Sequence, residues 1–210
     1  MAYKYLLFDH DGVLVDTEQW YYQATRRALA ELDIALDEQT YQDIMIRGVA
    51  AWELAEEAGV EPVLLTAQKR KRNIWYQEYL RSEDLDIPGV IETLRALSAR
   101  HPMAIVTTCK ARDFDLIQRD REIVPLMDFV LKREDYGLSK PHPEPYLRAL
   151  ERFGARPEEA LVIEDSERGL RAAVAAGIDC CIVHNAFTAR HDFSAARYRL
   201  PTLAGLHDIL

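Results

Sequence analysis

Two carboxylates one residue apart, Asp9 and Asp11, close an apolar run in YLLFDHDGVLVDT. Thr107, Thr108 and Lys110 follow a second run in MAIVTTCK, Lys140 precedes a proline in GLSKPHPEPY, and Glu164 and Asp165 close ALVIEDS. Singly, each has an ordinary structural reading: acids capping a turn, a strand-terminal threonine, a loop lysine, a helix entry with Ser166 as cap. A calcium loop is excluded at the first motif, because Gly12 directly follows Asp11 and Val13, Leu14 and Val15 come next. Together the residues define a chemistry. Four carboxylates crowded around Lys140 repel each other unless a cation sits among them. Oxygen donors suit Mg²⁺, which keeps waters and takes a phosphate as co-ligand. A lysine and a threonine hydroxyl suit the oxygens of a phosphoryl group. With one carboxylate to attack and another to move protons, the set supports phosphoryl transfer through an aspartyl-phosphate.

The elements that must position these groups are short apolar runs: Tyr5 to Phe8, Met103 to Thr107, Phe129 to Leu131, Ala160 to Glu164 and Cys180 to His184. Most are continuous rather than alternating, as expected of strands buried on both faces of a parallel sheet. Helical spacing appears between most of them, over Val90 to Ala99, Pro143 to Phe153 and Ser166 to Ala176, the last opening on a serine cap and stopping at Gly177. Alternating strands and helices predict an α/β fold, a doubly wound parallel sheet that binds ligands beyond the carboxyl ends of its strands. From residue 16 to 87 no strand candidate occurs. Helices are expected from a Thr17 cap onward, then near Asp37 to Ile46, Ala50 to Ala58 and Val63 to Leu80. The expected organisation is an α/β core of residues 1–15 and 88–210 with an inserted helical domain, residues 16–87.

The 210 residues, 49% of them hydrophobic, suffice for one sizeable core with a small insert. A net charge of −9 opposes binding nucleic acid through a basic surface. The basic run Lys69-Arg70-Lys71-Arg72 reads as a solvated helix face. Three cysteines, an odd number, and no apolar run near the ~18 residues of a membrane span predict a reduced, cytoplasmic protein without a membrane partner.

The order of these motifs resembles the haloacid dehalogenase-like (HAD) hydrolase superfamily over essentially the whole chain. The signal rests on DHDGVLVDTE, KPHPEPY and VIEDSERGLRAAVAAG together. The subgroup it looks most like contains phosphatases and beta-phosphoglucomutases with a small helical cap of the first type. The resemblance implies Mg²⁺ as cofactor and a small phosphorylated metabolite as partner. It implies Asp9 as nucleophile and metal ligand, and Asp11 as general acid and then base, its carbonyl also on the metal. Thr107 and Lys140 would hold phosphoryl oxygens, Asp165 would bind the metal, and Glu164 would ligate it directly or from behind. Thr108, Lys110, Arg47 and Gly48 are candidate substrate contacts. Because Asp11 is present, the dehalogenating branch, which lacks an acid there, is set aside.

Departures from the mutase pattern favour a phosphatase. In RGVAAW, Ala50 and Ala51 stand where mutases of the beta-phosphoglucomutase kind carry Ser and Arg, and Tyr21 stands in place of a histidine. A phosphosugar mutase is the alternative; a phosphoaspartate receiver fails on the placement of its acids, and a non-catalytic binding protein on the complete acid, threonine and lysine set. Six aromatics in the insert, Trp20, Tyr21, Tyr22, Trp52, Trp75 and Tyr76, read chiefly as core. His10 is expected to point away from Asp9 and Asp11 by strand alternation. Monomer and homodimer are both left open.

Overall fold

The apolar runs become strands because pairing in a sheet satisfies their backbone groups while their side chains leave water. In the computed structural model, which describes residues 3–210, β1 is Tyr5–Phe8, with Leu6, Leu7 and Phe8 wholly buried. β2 is Met103–Val106, β3 Phe129–Leu131, β4 Ala160–Glu164, β5 Asp179–Val183 and β6 Tyr198–Leu200. They form one six-stranded sheet in the order β3-β2-β1-β4-β5-β6, with every pairing parallel. β1 lies between β2 and β4, where the chain reverses its direction of winding. Such a switch point opens a crevice beyond the carboxyl edge.

Helices α5 (Val90–Ser98), α6 (Ala111–Gln118), α7 (Glu144–Phe153) and α8 (Glu167–Ala175) flank the sheet. On one face Leu7, Val106, Val162 and Ile182 meet Tyr146 and Leu150 of α7 and Leu170 and Ala173 of α8. The alternate residues Leu6, Phe8, Ile105 and Ile163 are buried as well, which explains why these strands read as continuous apolar runs. Leu147 of α7 is exposed, on the side of the helix away from the sheet.

Chain contacts divide the protein into two compact units: the residues through Asp16 with Leu85–Leu210, and Thr17–Asp84. Where the first unit's chain leaves and returns, Asp16 N donates to Leu85 O (2.9 Å) and Val15 bridges Asp86 antiparallel. The second unit is helical: α1 (Glu18–Ala30), α2 (Glu38–Arg47), α3 (Glu53–Glu57) and α4 (Pro62–Ser82). Thr17 precedes α1 but makes no side-chain cap bond, because its own backbone is already helical, with ψ of −17°. The third helix is shorter than its Ala50 to Ala58 expectation. Among the six aromatics, Tyr22, Trp52 and Tyr76 are buried, while Trp20, Tyr21 and Trp75 are half-buried. The basic run is not uniformly solvated: Arg72 is buried with its guanidinium 4.2 Å from the Tyr21 ring centre. Arg stacks in this way because its delocalised charge is weakly hydrated. Among the described residues no helix is long and apolar enough to cross a membrane.

Candidate active site

The carboxyl ends of β2, β1 and β4 are neighbours, so the residues that follow them converge. Asp9 leaves β1 with its N–H still bonded to Ile163 O (2.8 Å), and its carboxylate is nearly buried. Lys140 arrives from the loop before α7 and is buried too. Its Nζ donates to Asp9 Oδ1 (2.6 Å), Glu164 Oε1 (2.6 Å) and Val106 O (2.9 Å), which uses all three ammonium protons.

Glu164, at the end of β4, is fully buried. Besides Lys140 it accepts from Tyr146 Oη (2.8 Å), Ser166 Oγ (3.0 Å) and the backbone N–H groups of Asp165 and Ser166 (3.2 and 3.3 Å). Burial pushes its pKa up, but attraction to Lys140 and these bonds outweigh burial and hold it below the ordinary carboxylate value. Room for this carboxylate comes from Gly169 in α8, where any Cβ would overlap it.

Asp9 fares differently. Burial first, and then the Glu164 charge, push its pKa up to about 7 despite Lys140. Burial alone would pull Lys140 down, but Asp9 and Glu164 raise it overall. One ammonium is thus shared at equal distance by two carboxylates, and Glu164, with four further donors, keeps its charge more readily than Asp9. Asp165 adds another buried acid. Its carboxylate lies so close to Gly12, whose φ is +83°, that a side chain there would overlap it.

Carboxylate oxygens of Asp9, Glu164 and Asp165 lie within 4.8 Å of one another. The cluster is short of positive charge and its donors are all oxygen, which fits a hard divalent cation such as Mg²⁺. A second grouping, His10, Asp11 and Cys109, is also close. There burial, followed by the Asp11 charge, pushes the Cys109 thiol up, so it stays protonated.

Asp11 is only partly buried, with 24% of its side chain exposed, and stands beside Thr107. Thr107 Oγ1 donates to Asp11 Oδ2 (3.3 Å) and accepts from Cys109 N (2.9 Å). Tyr136 Oη donates to Thr107 O (2.7 Å), fixing that strand end from below. Thr108 is half-buried and accepts from Arg168 Nη2 at 3.5 Å, whereas Lys110 is exposed at the start of α6. Arg47 and Gly48 belong to the second unit. Arg47 is exposed and 3.8 Å from Glu53, and Gly48 ends α2 with a φ of +72°.

His10 departs from its expectation. The strand ends at Phe8, so alternation no longer sets its direction, and its ring turns toward Asp11, Nδ1 to Oδ2 3.2 Å. Sequence reasoning also missed Tyr146, Tyr136 and Gln118, whose spacing reads only as helix face or strand end. It missed Glu144 in KPHPEPY as well. That carboxylate accepts from Gly137 N (2.9 Å) and Leu138 N (2.8 Å), anchoring the loop that carries Lys140. These two backbone bonds, with Arg148, hold the pKa of Glu144 down at about 2. Its contribution to stability is therefore present above the ordinary 4.5 and lost as pH falls through about 2. Glu144→Gln is expected to lower the melting temperature at pH 7 and to narrow that difference below pH 4. Equal melting of the two proteins at pH 7 would show that the loop does not depend on this charge.

A family model for haloacid dehalogenase-like hydrolases matches residues 6–183. A "Phosphorylated carbohydrates phosphatase" of Thermotoga maritima is 33% identical over 183 residues, 83% of this chain and 82% of that protein. "Protein CbbY" of Rhodobacter capsulatus is 29% identical over 216 residues, 97% of this chain and 95% of that one. The crystal structure of CbbY from Rhodobacter sphaeroides in complex with phosphate superposes with a TM-score of 0.81 at 23% identity, covering 97% of this chain and 96% of the other.

Proposed function

This chain belongs to the haloacid dehalogenase-like hydrolases and is a phosphohydrolase, and on that premise we propose that it is a Mg²⁺-dependent phosphatase of a small phosphorylated carbohydrate. The observation that carries the reading is the Asp9 carboxylate at the carboxyl end of β1, held by Lys140 and followed two residues later by Asp11 on Thr107. The 33% identical carbohydrate phosphatase supports the substrate class.

Asp9, the main-chain carbonyl of Asp11 and Asp165 would hold the metal. When bound, the ion supplies charge neutralisation and a template for the phosphoryl oxygens. The chain's own residues do the rest. Asp9 attacks phosphorus, the bond to the ester oxygen breaks, and Asp11 gives that oxygen its proton. An alkoxide is a poor leaving group near neutral pH, so this acid contributes about 10²–10⁴-fold. Asp11 then takes a proton from the water that attacks the aspartyl-phosphate, releasing phosphate and restoring Asp9. With substrate bound, the Thr107 hydroxyl turns from Asp11 to a transferring oxygen, and the Lys140 ammonium, whose three protons stay on protein acceptors, offsets the charge of these oxygens. Glu164 acts through Lys140, holding the ammonium where Asp9 and the phosphoryl group need it. Thr108 and Lys110 are proposed contacts for the remainder of the substrate. The recognition role of Arg47 and Gly48 rests on sequence position alone.

The protein is expected to release inorganic phosphate from phosphorylated carbohydrates with Mg²⁺ present, to lose that activity on chelation, and to regain it when Mg²⁺ is restored. No release from such a panel or from p-nitrophenyl phosphate would sink the reading. Isomerisation of glucose 1-phosphate with a bisphosphate activator would favour the mutase instead.

A further inference from the structure

We propose that His10, locked by Gln118, is a positioning residue that aims the Asp11 carboxylate for proton transfer. The idea rests on the phosphatase reading for the role of Asp11, and on geometry for everything else.

His10 is completely buried between the two acids. Its backbone carbonyl accepts from Leu14 N (2.9 Å) and Val15 N (3.2 Å), so the turn after β1 pins the residue. Its ring packs on Phe114 of α6, with centroids 4.7 Å apart. Gln118, one turn further along α6, places its amide Nε2 at 2.8 Å from His10 Nε2. A carboxylate oxygen accepts, so His10 Nδ1 carries a proton and donates to Asp11 Oδ2, which leaves Nε2 to the Gln118 amide. Thr107 Oγ1 donates to the same oxygen. Two donors from different strand ends converge on Oδ2, which becomes the anchoring oxygen, and proton transfer is assigned to Oδ1.

An apolar residue at position 10 would fill the space beside Phe114 equally well, but it offers no donor. Without one, Asp11 Oδ2 loses the 3.2 Å donor that complements the 3.3 Å threonine bond. General acid–base catalysis depends on such aim, since a displacement near 1 Å is worth about 10²-fold.

The test combines kinetics with a spectroscopic readout. His10→Leu is expected to lower kcat on a sugar phosphate by about 10²-fold, with KM little changed. The loss should be smaller on p-nitrophenyl phosphate, whose leaving group needs little protonation. His10→Asn, which keeps a donor at the Nδ1 position, should recover most of the loss. Gln118→Leu should reproduce it in part by freeing the ring tautomer. In the wild type, ¹⁵N NMR of the histidines should show His10 protonated on Nδ1 and bare on Nε2. Unchanged kcat in His10→Leu, an equal loss on both esters, no rescue by asparagine, or the opposite tautomer would each overturn the proposal. A wild type that releases no phosphate from any ester would instead overturn the phosphatase reading. The tautomer would still decide the His10–Asp11 bond.

Discussion

Asp9→Asn is expected to lower kcat for phosphate release by about 10⁴–10⁶-fold, the scale on which removing a nucleophile acts, while the protein stays folded. The amide cannot attack phosphorus, but its oxygen can still accept from Lys140, which sits 2.6 Å from the native carboxylate. Stability should not fall at pH 7. In the metal-free protein the Asp9 pKa is raised from 3.8 to about 7 by burial and by Glu164. The folded chain then binds this proton more tightly than the unfolded chain, so ionisation of Asp9 erodes stability as pH rises from about 4 to 7. Asparagine removes that penalty. The expected result is a melting temperature equal to or above wild type at pH 7 without Mg²⁺, together with lost turnover. Retained turnover refutes the nucleophile assignment; a fall in melting temperature refutes the charge argument.

The second large effect is at Lys140. Lys140→Met leaves Asp9 and Glu164 buried around a side chain with no charge, after a site in which one ammonium served both. Removing one partner of a buried ionic group costs about 3–5 kcal/mol. For a chain of this size each kcal/mol moves the melting temperature by roughly 2–4 °C, so a fall on the order of 6–20 °C is expected. The double variant Lys140→Met with Glu164→Gln should be less destabilised than the sum of the two singles, because the coupled charge is gone. Thermal unfolding of the four proteins forms the cycle. The Lys140 pKa is raised, so its ion pairs contribute fully below the ordinary 10.5 and fade as pH climbs above it. The wild-type advantage should therefore shrink in strong alkali. A Lys140→Met protein as stable as wild type at pH 7 would mean that Glu164 is not charged in the fold.

The inner sheet was legible because its residues leave the chain few options. LLF, AIV and LVIE have both faces covered, so each reads as an unbroken apolar run, and the polar residues that interrupt those runs mark the strand ends where a parallel sheet binds ligands. β6 escaped notice for the converse reason. Tyr198–Leu200 is an edge strand of half-exposed and exposed residues with no apolar run to signal it. α6 was equally silent, since only Phe114, Ile117 and Gln118 are buried in it. The ends of β2 and β5 shifted by a residue because hydrogen-bond register, rather than hydropathy, sets them.

By itself the sequence determined the fold class, the family and the identities of the acids, threonine and lysine at the strand ends, since these follow from residue type and order along the chain. Only the tertiary structure decided how one ammonium is divided between Asp9 and Glu164, that Tyr146 and Ser166 secure Glu164, and that Gly169 makes room for it. It also decided that His10 turns onto Asp11 through Gln118, 108 residues away. Such contacts join residues distant in sequence at hydrogen-bond range. Local periodicity carries no information about which distant donor meets which acceptor, or about the burial that sets the strength of each bond.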